Sequence, residues 1–262
     1  MGYNVNMDLN TMIDIFLLAV VAILLYYYIK LYFEAKKVEY EFTSIVNHTF
    51  RTPLTRINWI SKELEKMDLS QDERLLYLQN LNNATERLME IVDLIAGIKN
   101  INDVTSYNFE ATSLRDILEG SIAKHREAIN KKNITFQVPT FKDIPLLTID
   151  LKKITLVIDA LIENSILYTP EKGKIFIECL SGSNKLTLYV GDNGFGLSMR
   201  DKMRIFSKFF RSKNAVLAYP DGMGLRLYLS KQIVARHHGK LSAKSKGVNK
   251  GTTFILQLPF GK

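Results

Sequence analysis

Residues 174–196, KIFIECLSGSNKLTLYVGDNGFG, decide the fold of the C-terminal half. Apolar and polar residues alternate over residues 174–180 and 185–190, which is typical of adjacent strands that bury one face. A loop, Asp192 to Gly196, follows the second segment, and its glycines allow the backbone to approach a ligand closely. The carboxylate of Asp192 can accept a hydrogen bond from an exocyclic amine of such a ligand.

The sequence around this stretch mixes helical and strand patterns. It predicts helices over residues 113–131, 151–167 and 222–238, the last ending at Gly239, and further strands over residues 134–138 and 252–258. Few strands and three helices predict an α+β sandwich, with helices on one face of a mixed sheet.

Upstream, apolar residues recur at three- and four-residue steps over residues 42–67 and again over residues 75–98. Ser70 and Glu73, between the two runs, have the spacing of a capping box at the start of a helix. The patterns predict an antiparallel helical hairpin. Because the hairpin cannot bury its apolar faces alone, we expect two copies to form a four-helix bundle, and hence a homodimer.

The N-terminal residues predict a membrane-spanning helix. Residues 12–33 are apolar apart from two charged residues near the ends, and about 20 apolar residues cross a bilayer. Lys30, Lys36 and Lys37 follow the apolar core, so the positive-inside rule places residues 1–11 outside and everything after residue 33 in the cytoplasm. A cleaved signal peptide is the alternative, although no basic residue precedes the apolar run. We therefore expect a single-pass protein of the plasma (inner) membrane.

The composition of the whole chain excludes several classes. The chain has 262 residues, 47% of them hydrophobic, which indicates buried cores and not a disordered tail. The single cysteine, Cys179, cannot form an intramolecular disulfide, and four scattered histidines have no zinc-ligand spacing. The net charge is +8, but it is spread over the chain, so we expect no nucleic-acid partner.

Residues 47–54, NHTFRTPL, place a proline inside a helical pattern. Pro53 removes one helical hydrogen bond and clashes with the carbonyl four residues back, so the helix should bend beside His48. His48 and Thr52 are four apart and share one face. Taken alone, the residues are also compatible with a solvated histidine beside an incidental kink. The pattern H-x-x-R-T-P-L followed by a helical hairpin resembles the phosphoacceptor box of sensor histidine kinases.

Three motifs in the C-terminal half extend this resemblance. Residues 163–170 place an amide and an aromatic ring four apart on one helix face, and residues 192–196 are the glycine loop. Residues 222–225 open a predicted helix, whose free amide groups suit phosphate. The motifs, with Phe206, Phe209, Phe210 and Arg211 between the second and third, resemble the N, G1, F and G2 boxes of the histidine kinase catalytic domain.

The resemblance covers residues 38–262 and implies an architecture. It implies a dimerisation and phosphotransfer hairpin over residues 34–100, a linker over 101–112 and a catalytic domain over 113–262. The catalytic domain would be an α/β sandwich of the GHKL (Bergerat) type, the ATP-binding fold of gyrase and Hsp90-type chaperones. The implied function is that of a two-component sensor kinase. Such an enzyme phosphorylates its own histidine from ATP and passes the phosphoryl group to an aspartate in the receiver domain of a response regulator.

The same resemblance implies roles for individual residues. His48 would be the phosphoacceptor, with Arg51 and Thr52 beside it in the catalytic box. Asn164 would bind Mg²⁺ through its amide, and Tyr168 would form a wall against adenine. The remaining ATP-binding residues implied by the family are Asp192, Gly194 and Gly196 around adenine, Gly222, Gly224 and Arg211 around the phosphates, and Thr253 near the adenine. Residues 198–221 would form the mobile lid.

Four positions depart from the family pattern: Thr49 follows the histidine in place of an acid, Ala160 replaces a polar residue, Leu167 replaces a lysine and Arg226 replaces a glycine. Thr49 matters most, since a carboxylate there would hold the imidazole tautomer and accept its proton. Two alternatives to a kinase therefore stay open. One is a non-catalytic, membrane-anchored dimeric scaffold that binds a receiver domain or nucleotide. The other is an enzyme that mainly dephosphorylates its partner, with Thr52 positioning water.

Overall fold

The computed structural model describes residues 9–66, 68–100, 103–138, 144–220 and 222–260. It divides into two compact units, residues 1–48 and 49–262. The first unit contains most of helix α1, Leu9–Leu64, and within it Phe16–Phe33 is long and apolar enough to cross a membrane. The side chains of this segment are almost all exposed. Residues 1–8 of the expected external segment lie outside the described residues.

The second unit begins with the rest of α1 and continues into helix α2, Gln71–Asn100. The capping box at the start of α2 is confirmed: the backbone N–H of Ser70 donates to Glu73 Oε2 at 3.0 Å, and the N–H of Glu73 donates to Ser70 Oγ at 3.2 Å. Pro53 is buried and lies inside α1. The two predicted helices of the hairpin are therefore present.

Residues 101–112, between the hairpin and the main domain, were expected to be a linker, and short elements occupy the described part of it, residues 103–112. A 3₁₀ turn spans Val104–Ser106, and strand β1, Glu110–Thr112, pairs antiparallel with β3, Leu147–Ile149. Strands of three residues are too short to show the alternation from which strands are predicted. This two-stranded sheet was therefore not foreseen.

The main sheet has five strands in the order β2-β4-β5-β7-β6. Their bounds are Thr135–Gln137 for β2, Lys174–Ser181 for β4, Lys185–Asp192 for β5, Lys240–Lys244 for β6 and Thr253–Pro259 for β7. β2 runs parallel to β4 and the other pairs are antiparallel. The predicted mixed sheet is confirmed, although β6 was not predicted.

Three long helices cover one face of this sheet: α3, Leu114–Lys131; α4, Leu151–Tyr168; and α7, Arg226–Arg236. Apolar residues of these helices, such as Ile158 and Leu161 on α4, form one core with inward side chains of the strands, such as Leu188 on β5. All three side chains are fully buried. On the other sheet face Phe176 and Leu180 remain exposed. The expected helices on one face of the sheet are thus confirmed.

The last long helix begins later than predicted, at Arg226 and not at Gly222. Gly224 has a φ of +68°, which lies outside the helical region, so the chain turns before the helix starts. Two short helices, α5 at Met199–Arg204 and α6 at Lys213–Ala218, lie between β5 and this turn. They form the segment that was expected to be the lid.

Candidate active site

A cavity of about 220 Å³ lies where α4, the end of β5, the short helix α6 and the turn before α7 meet. Six of the residues implied by the three C-terminal motifs line it: Asn164, Tyr168, Asp192, Gly196, Gly222 and Gly224. Motifs that are some 30 residues apart in sequence therefore converge on one site. The sheet order explains this, because β5 lies at the centre and places its terminal residue beside α4.

Asp192 is the last residue of β5 and its carboxylate is held by backbone amides. Oδ1 accepts hydrogen bonds from the N–H of Gly194 at 2.8 Å and of Thr252 at 3.2 Å. Both donors bind the same oxygen, so Oδ2 is the atom left for a ligand amine. Burial raises the pKa of this carboxyl to about 6, and the two backbone hydrogen bonds oppose that rise.

Gly194 lies behind the cavity and does not line it itself. Its implied part in shaping the adenine pocket stays a prediction. It is buried against the end of α4, where a Cβ at this position would come within 2.1 Å of the Tyr168 carbonyl oxygen. The next residue, Phe195, donates its N–H to the same carbonyl at 3.3 Å. The absence of a side chain at Gly194 therefore brings the glycine loop against the helix that carries Asn164.

Asn164 lies half-buried on α4 and faces the cavity. Its amide nitrogen donates to the carbonyl of Ala160, one turn earlier, at 2.5 Å. Because the nitrogen is used in this bond, the amide oxygen is the atom that can bind a metal. Among the described residues no group of three or more His, Cys, Asp or Glu could hold a metal ion. A metal here would depend on Asn164 and on oxygens of the ligand itself.

Arg211 lines the cavity, but its guanidinium is engaged with the segment around α6. It donates to the carbonyls of Ala215 and Pro220, each at 2.7 Å, and to that of Tyr219. In this structure the Arg211 guanidinium thus stabilises the expected lid segment by hydrogen bonds to its backbone. Asp221, the last residue of that segment, lies outside the described residues.

Thr252, and not Thr253, lines the cavity. Thr253 is the first residue of β7 and pairs across the sheet with Gly191. Thr252 precedes the strand, is buried, and donates its N–H to Asp192. Side chains alternate in direction at the start of a strand, which puts the cavity-lining position at Thr252. The implied proximity of Thr253 to adenine stays a prediction.

Further residues, to which the family resemblance assigned no role, also line the cavity. Arg87 and Leu94 come from hairpin helix α2, and Glu163 and Arg226 come from α4 and α7. Nothing local in the sequence marks Arg87 or Leu94, since their proximity depends on the packing of α2. Arg226 was noticed only as a departure from the glycine of the family.

Arg226 joins the hairpin to the nucleotide-binding motifs through ion pairs. One guanidinium nitrogen binds Oε2 of Glu163, and the other lies 3.0 Å from Oε2 of Glu90 on α2. Arg87 NH1 also binds that Glu90 oxygen, at 2.6 Å. The guanidinium of Arg87 lies 5.4 Å from the ring centre of Tyr219, within the range of a cation–π contact.

The phosphoacceptor box lies on α1. His48 and Arg51 are exposed, Thr52 is half-buried and Thr49 is buried, with 7% of its surface exposed. An exposed imidazole can reach a phosphoryl donor or a partner protein. The roles implied for His48, Arg51 and Thr52 remain predictions.

Residues 149–262 match the family model of histidine kinase-, DNA gyrase B-, and HSP90-like ATPases. The order of the strands, the covering helices and the cavity at the three motifs agree with that match. Residues 149–262 therefore have the α/β fold of an ATP-binding domain of this kind.

The chain is also related to whole sensor kinases. It is 27% identical over 237 residues to drug sensory protein A of Synechocystis sp., covering 86% of this chain and 35% of that protein. It is 31% identical over 228 residues to sensor protein kinase WalK of Staphylococcus aureus, covering 84% of this chain and 53% of that protein. The chain thus spans between a third and about half of the length of these relatives.

Among solved structures, histidine kinase ThkA in complex with the response regulator protein TrrA is similar to this chain. The TM-score is 0.63 at 25% sequence identity, covering 84% of this chain and 61% of that one. Over residues of both its helical and its C-terminal part, the chain is thus similar to sensor histidine kinases.

Proposed function

We propose that this chain is a membrane-anchored sensor histidine kinase of a two-component system, which phosphorylates His48 from ATP. The observation that carries the proposal is the convergence of Asn164, Asp192 and the Gly222–Gly224 turn on one cavity. Each supplies a different part of a nucleotide site, namely a metal ligand, an acceptor for the adenine amine and a phosphate-binding turn. The relationship to sensor kinases supports the same reading.

The nucleotide would bind with its adenine beside Asp192 and Tyr168. The carboxylate of Asp192 accepts a hydrogen bond from the exocyclic amine, and the Tyr168 ring packs against the base. The phosphates lie toward the first turn of α7, where no side chain caps the helix, so its free N–H groups and dipole attract anions.

The residues present fit a magnesium ion. Mg²⁺ is usually held by one or two protein oxygens together with substrate phosphates, and the Asn164 amide oxygen is such a ligand. When bound, the ion neutralises the charge of the phosphates. The part that this chain plays is to orient Asn164 through its bond to Ala160.

In the proposed reaction a ring nitrogen of His48 attacks the γ-phosphorus of ATP. A phosphorus–nitrogen bond forms, the bond to the bridging oxygen breaks, and ADP leaves with that electron pair. The proton on the other ring nitrogen passes to solvent, because Thr49 cannot act as a base near neutral pH. Transfer of this kind depends mostly on positioning and charge neutralisation, so a neutral imidazole is a sufficient nucleophile.

The phosphoryl group would then pass to an aspartate in the receiver domain of a response regulator. Residues that are exposed near the phosphoacceptor box and on α2 offer a surface for partners: Leu54, Trp59, Leu75, Leu76 and Leu78. Exposed apolar residues on both helices of the hairpin also support the homodimeric four-helix bundle. The solved complex of ThkA with TrrA shows that a similar chain binds a response regulator.

The apolar helix supports a single membrane span at residues 12–33, in the plasma (inner) membrane. Phe16–Phe33 has the length and composition for it, and its side chains are exposed, as expected of a surface that contacts lipid. By the positive-inside rule, the lysines that follow support an orientation with the catalytic part in the cytoplasm and the N-terminus outside.

Autophosphorylation of the full chain in detergent micelles tests the proposal. Incubation with γ-labelled ATP and magnesium should label the protein, and the label should be stable in base and labile in acid. A His48→Gln variant should bind ATP and carry no label. Nucleotide binding without any label in the wild-type chain would overturn the kinase assignment and favour a scaffold.

A further inference from the structure

We propose that Arg226 is a phosphate-binding residue of the nucleotide site, and that Glu90 on the hairpin competes with the nucleotide for it. The inference rests on the proposed function, since it requires a nucleotide in the cavity. Arg226 lines the cavity as the first residue of α7, directly after the Gly222–Leu225 turn. Its guanidinium therefore lies beside the helix end at which phosphate is expected.

The present partners of Arg226 are carboxylates and not a ligand. Glu163 and Glu90 each bind one nitrogen of the guanidinium. A guanidinium presents several N–H donors in a planar fork and binds phosphate as well as it binds carboxylate. An incoming triphosphate offers more negative charge than either glutamate, so it competes for the same donors.

Of the two glutamates bound to Arg226, Glu90 is the one that a nucleotide displaces more readily. Its side chain is half exposed, its contact with Arg226 is 3.0 Å, and it already binds Arg87 at 2.6 Å. The carboxylate end of this ion pair is exposed to solvent, where ion pairs contribute little, so Glu90 can leave Arg226 at small cost. Its negative charge beside the phosphates would also repel them.

The competition connects the nucleotide to the hairpin. Glu90 lies on α2, which also contacts α7 where a Cβ at Gly97 would meet the Leu229 methyl groups at 3.7 and 3.8 Å. If nucleotide displaces Glu90 from Arg226, linkage requires that the attachment of α2 to α7 weaken by the same free energy. Binding of ATP would then loosen the helix that follows the phosphoacceptor helix.

Nucleotide affinity of the full chain in detergent micelles tests the proposal. Glu90→Gln removes the competitor, so its affinity for ATP should rise by about two- to fivefold at low ionic strength, and the gain should shrink with added salt. Glu86→Gln is the matched control, because it makes the same charge change one turn away on α2 at an exposed position. It should bind ATP like the wild type.

Three further measurements assign the effect to Arg226. Arg226→Gln should weaken ATP binding, and adding Glu90→Gln to it should give no gain. A gain that persists in the double variant would assign the effect to the released Arg87 and overturn the role of Arg226. The affinity for adenosine, which has no phosphate, should be the same in Glu90→Gln and wild type.

The two proposals fail in different ways. Wild-type ATP affinity in Glu90→Gln, in a protein that still binds ATP and labels His48, would overturn the competition and leave the kinase intact. A wild-type chain that binds no ATP would overturn both.

Discussion

Asp192 and Thr252, 60 residues apart, hold each other by two hydrogen bonds: the N–H of Asp192 donates to the Thr252 carbonyl at 2.9 Å, and the N–H of Thr252 donates to Asp192 Oδ1 at 3.2 Å. The pair joins the end of β5 to the residue before β7. It fixes the direction of the carboxylate, so the geometry of the adenine contact depends on the register of two strands and not on the glycine loop alone.

Asp192→Asn should abolish ATP binding and labelling of His48 without unfolding the domain. An amide at this position cannot offer the charged acceptor that the adenine amine needs, while its oxygen can still accept the two backbone hydrogen bonds. Thermal unfolding with and without ATP and magnesium checks this. ATP at a hundredfold excess over its Kd stabilises a binding-competent protein by about 2.7 kcal/mol, and the variant should show no such gain. If ATP stabilised the variant as much as it stabilises the wild type, the adenine would have to bind elsewhere.

The raised pKa of Asp192 predicts how stability depends on pH. Its pKa of about 6 lies above the value of 3.8 expected in the unfolded chain, so the folded state binds the proton more tightly. The tighter binding of the proton stabilises the folded state fully below pH 3.8, and this stabilisation is lost as the pH rises through 6. At neutral pH the buried charge therefore costs up to about 3 kcal/mol.

Urea unfolding of the nucleotide-free chain at pH 5 and pH 7.5 measures this cost. The stability of Asp192→Asn relative to the wild type should increase between the two pH values, because the variant carries no proton to lose. ATP affinity of the wild type should fall as the pH decreases below about 6. A pH-independent difference between the two proteins would contradict the assignment to Asp192.

Gly194→Ala should destabilise the domain by about 1–3 kcal/mol and weaken ATP binding. The new Cβ would fall 2.1 Å from the Tyr168 carbonyl oxygen, so the glycine loop and α4 must separate. Gly120→Ala is the matched control, because it lies inside α3 with no heavy atom within 4 Å of the new Cβ. It should stabilise the chain by about 0.5–1 kcal/mol. Equal effects of the two variants in chemical denaturation would show that the close approach at Gly194 is not needed.

Thr49→Glu should raise the autophosphorylation rate at pH 7 severalfold and leave ATP affinity nearly unchanged. The new carboxylate would accept a hydrogen bond from the imidazole and stabilise the charge that develops there. Less than the usual gain of about 10²- to 10⁴-fold from a general base is expected, since imidazole already has a lone pair. Single-turnover labelling at saturating ATP measures the rate.

Thr49→Gln is the control for bulk, because the Thr49 side chain is buried and either replacement enlarges it. Glutamine has the size of glutamate without the negative charge, so its rate should stay at or below that of the wild type. If glutamine and glutamate gave the same rate, the missing acid would not be what limits the reaction.

Much of the fold could be predicted because its signals are local. Ser113 and Asp150 accept hydrogen bonds from Asp116 and Lys153 at the first turns of α3 and α4, and α4 ends one residue beyond the predicted boundary. Alternation placed β4 and β5 within one or two residues. Strands β1, β3 and β6 were missed, since short strands acquire their hydrogen bonds from distant partners and carry little pattern of their own.

The sequence by itself determined which residue types meet a nucleotide: the amide at Asn164, the carboxylate at Asp192 and the glycines before α7 stand in fixed local patterns. Only the tertiary structure decided their surroundings. It placed Thr252 and not Thr253 at the cavity, set Gly194 behind it, and brought Glu90 to Arg226 across 136 residues of chain. The physical reason is that motif chemistry depends on neighbouring residues, whereas strand register and helix packing depend on contacts between residues that the sequence keeps far apart.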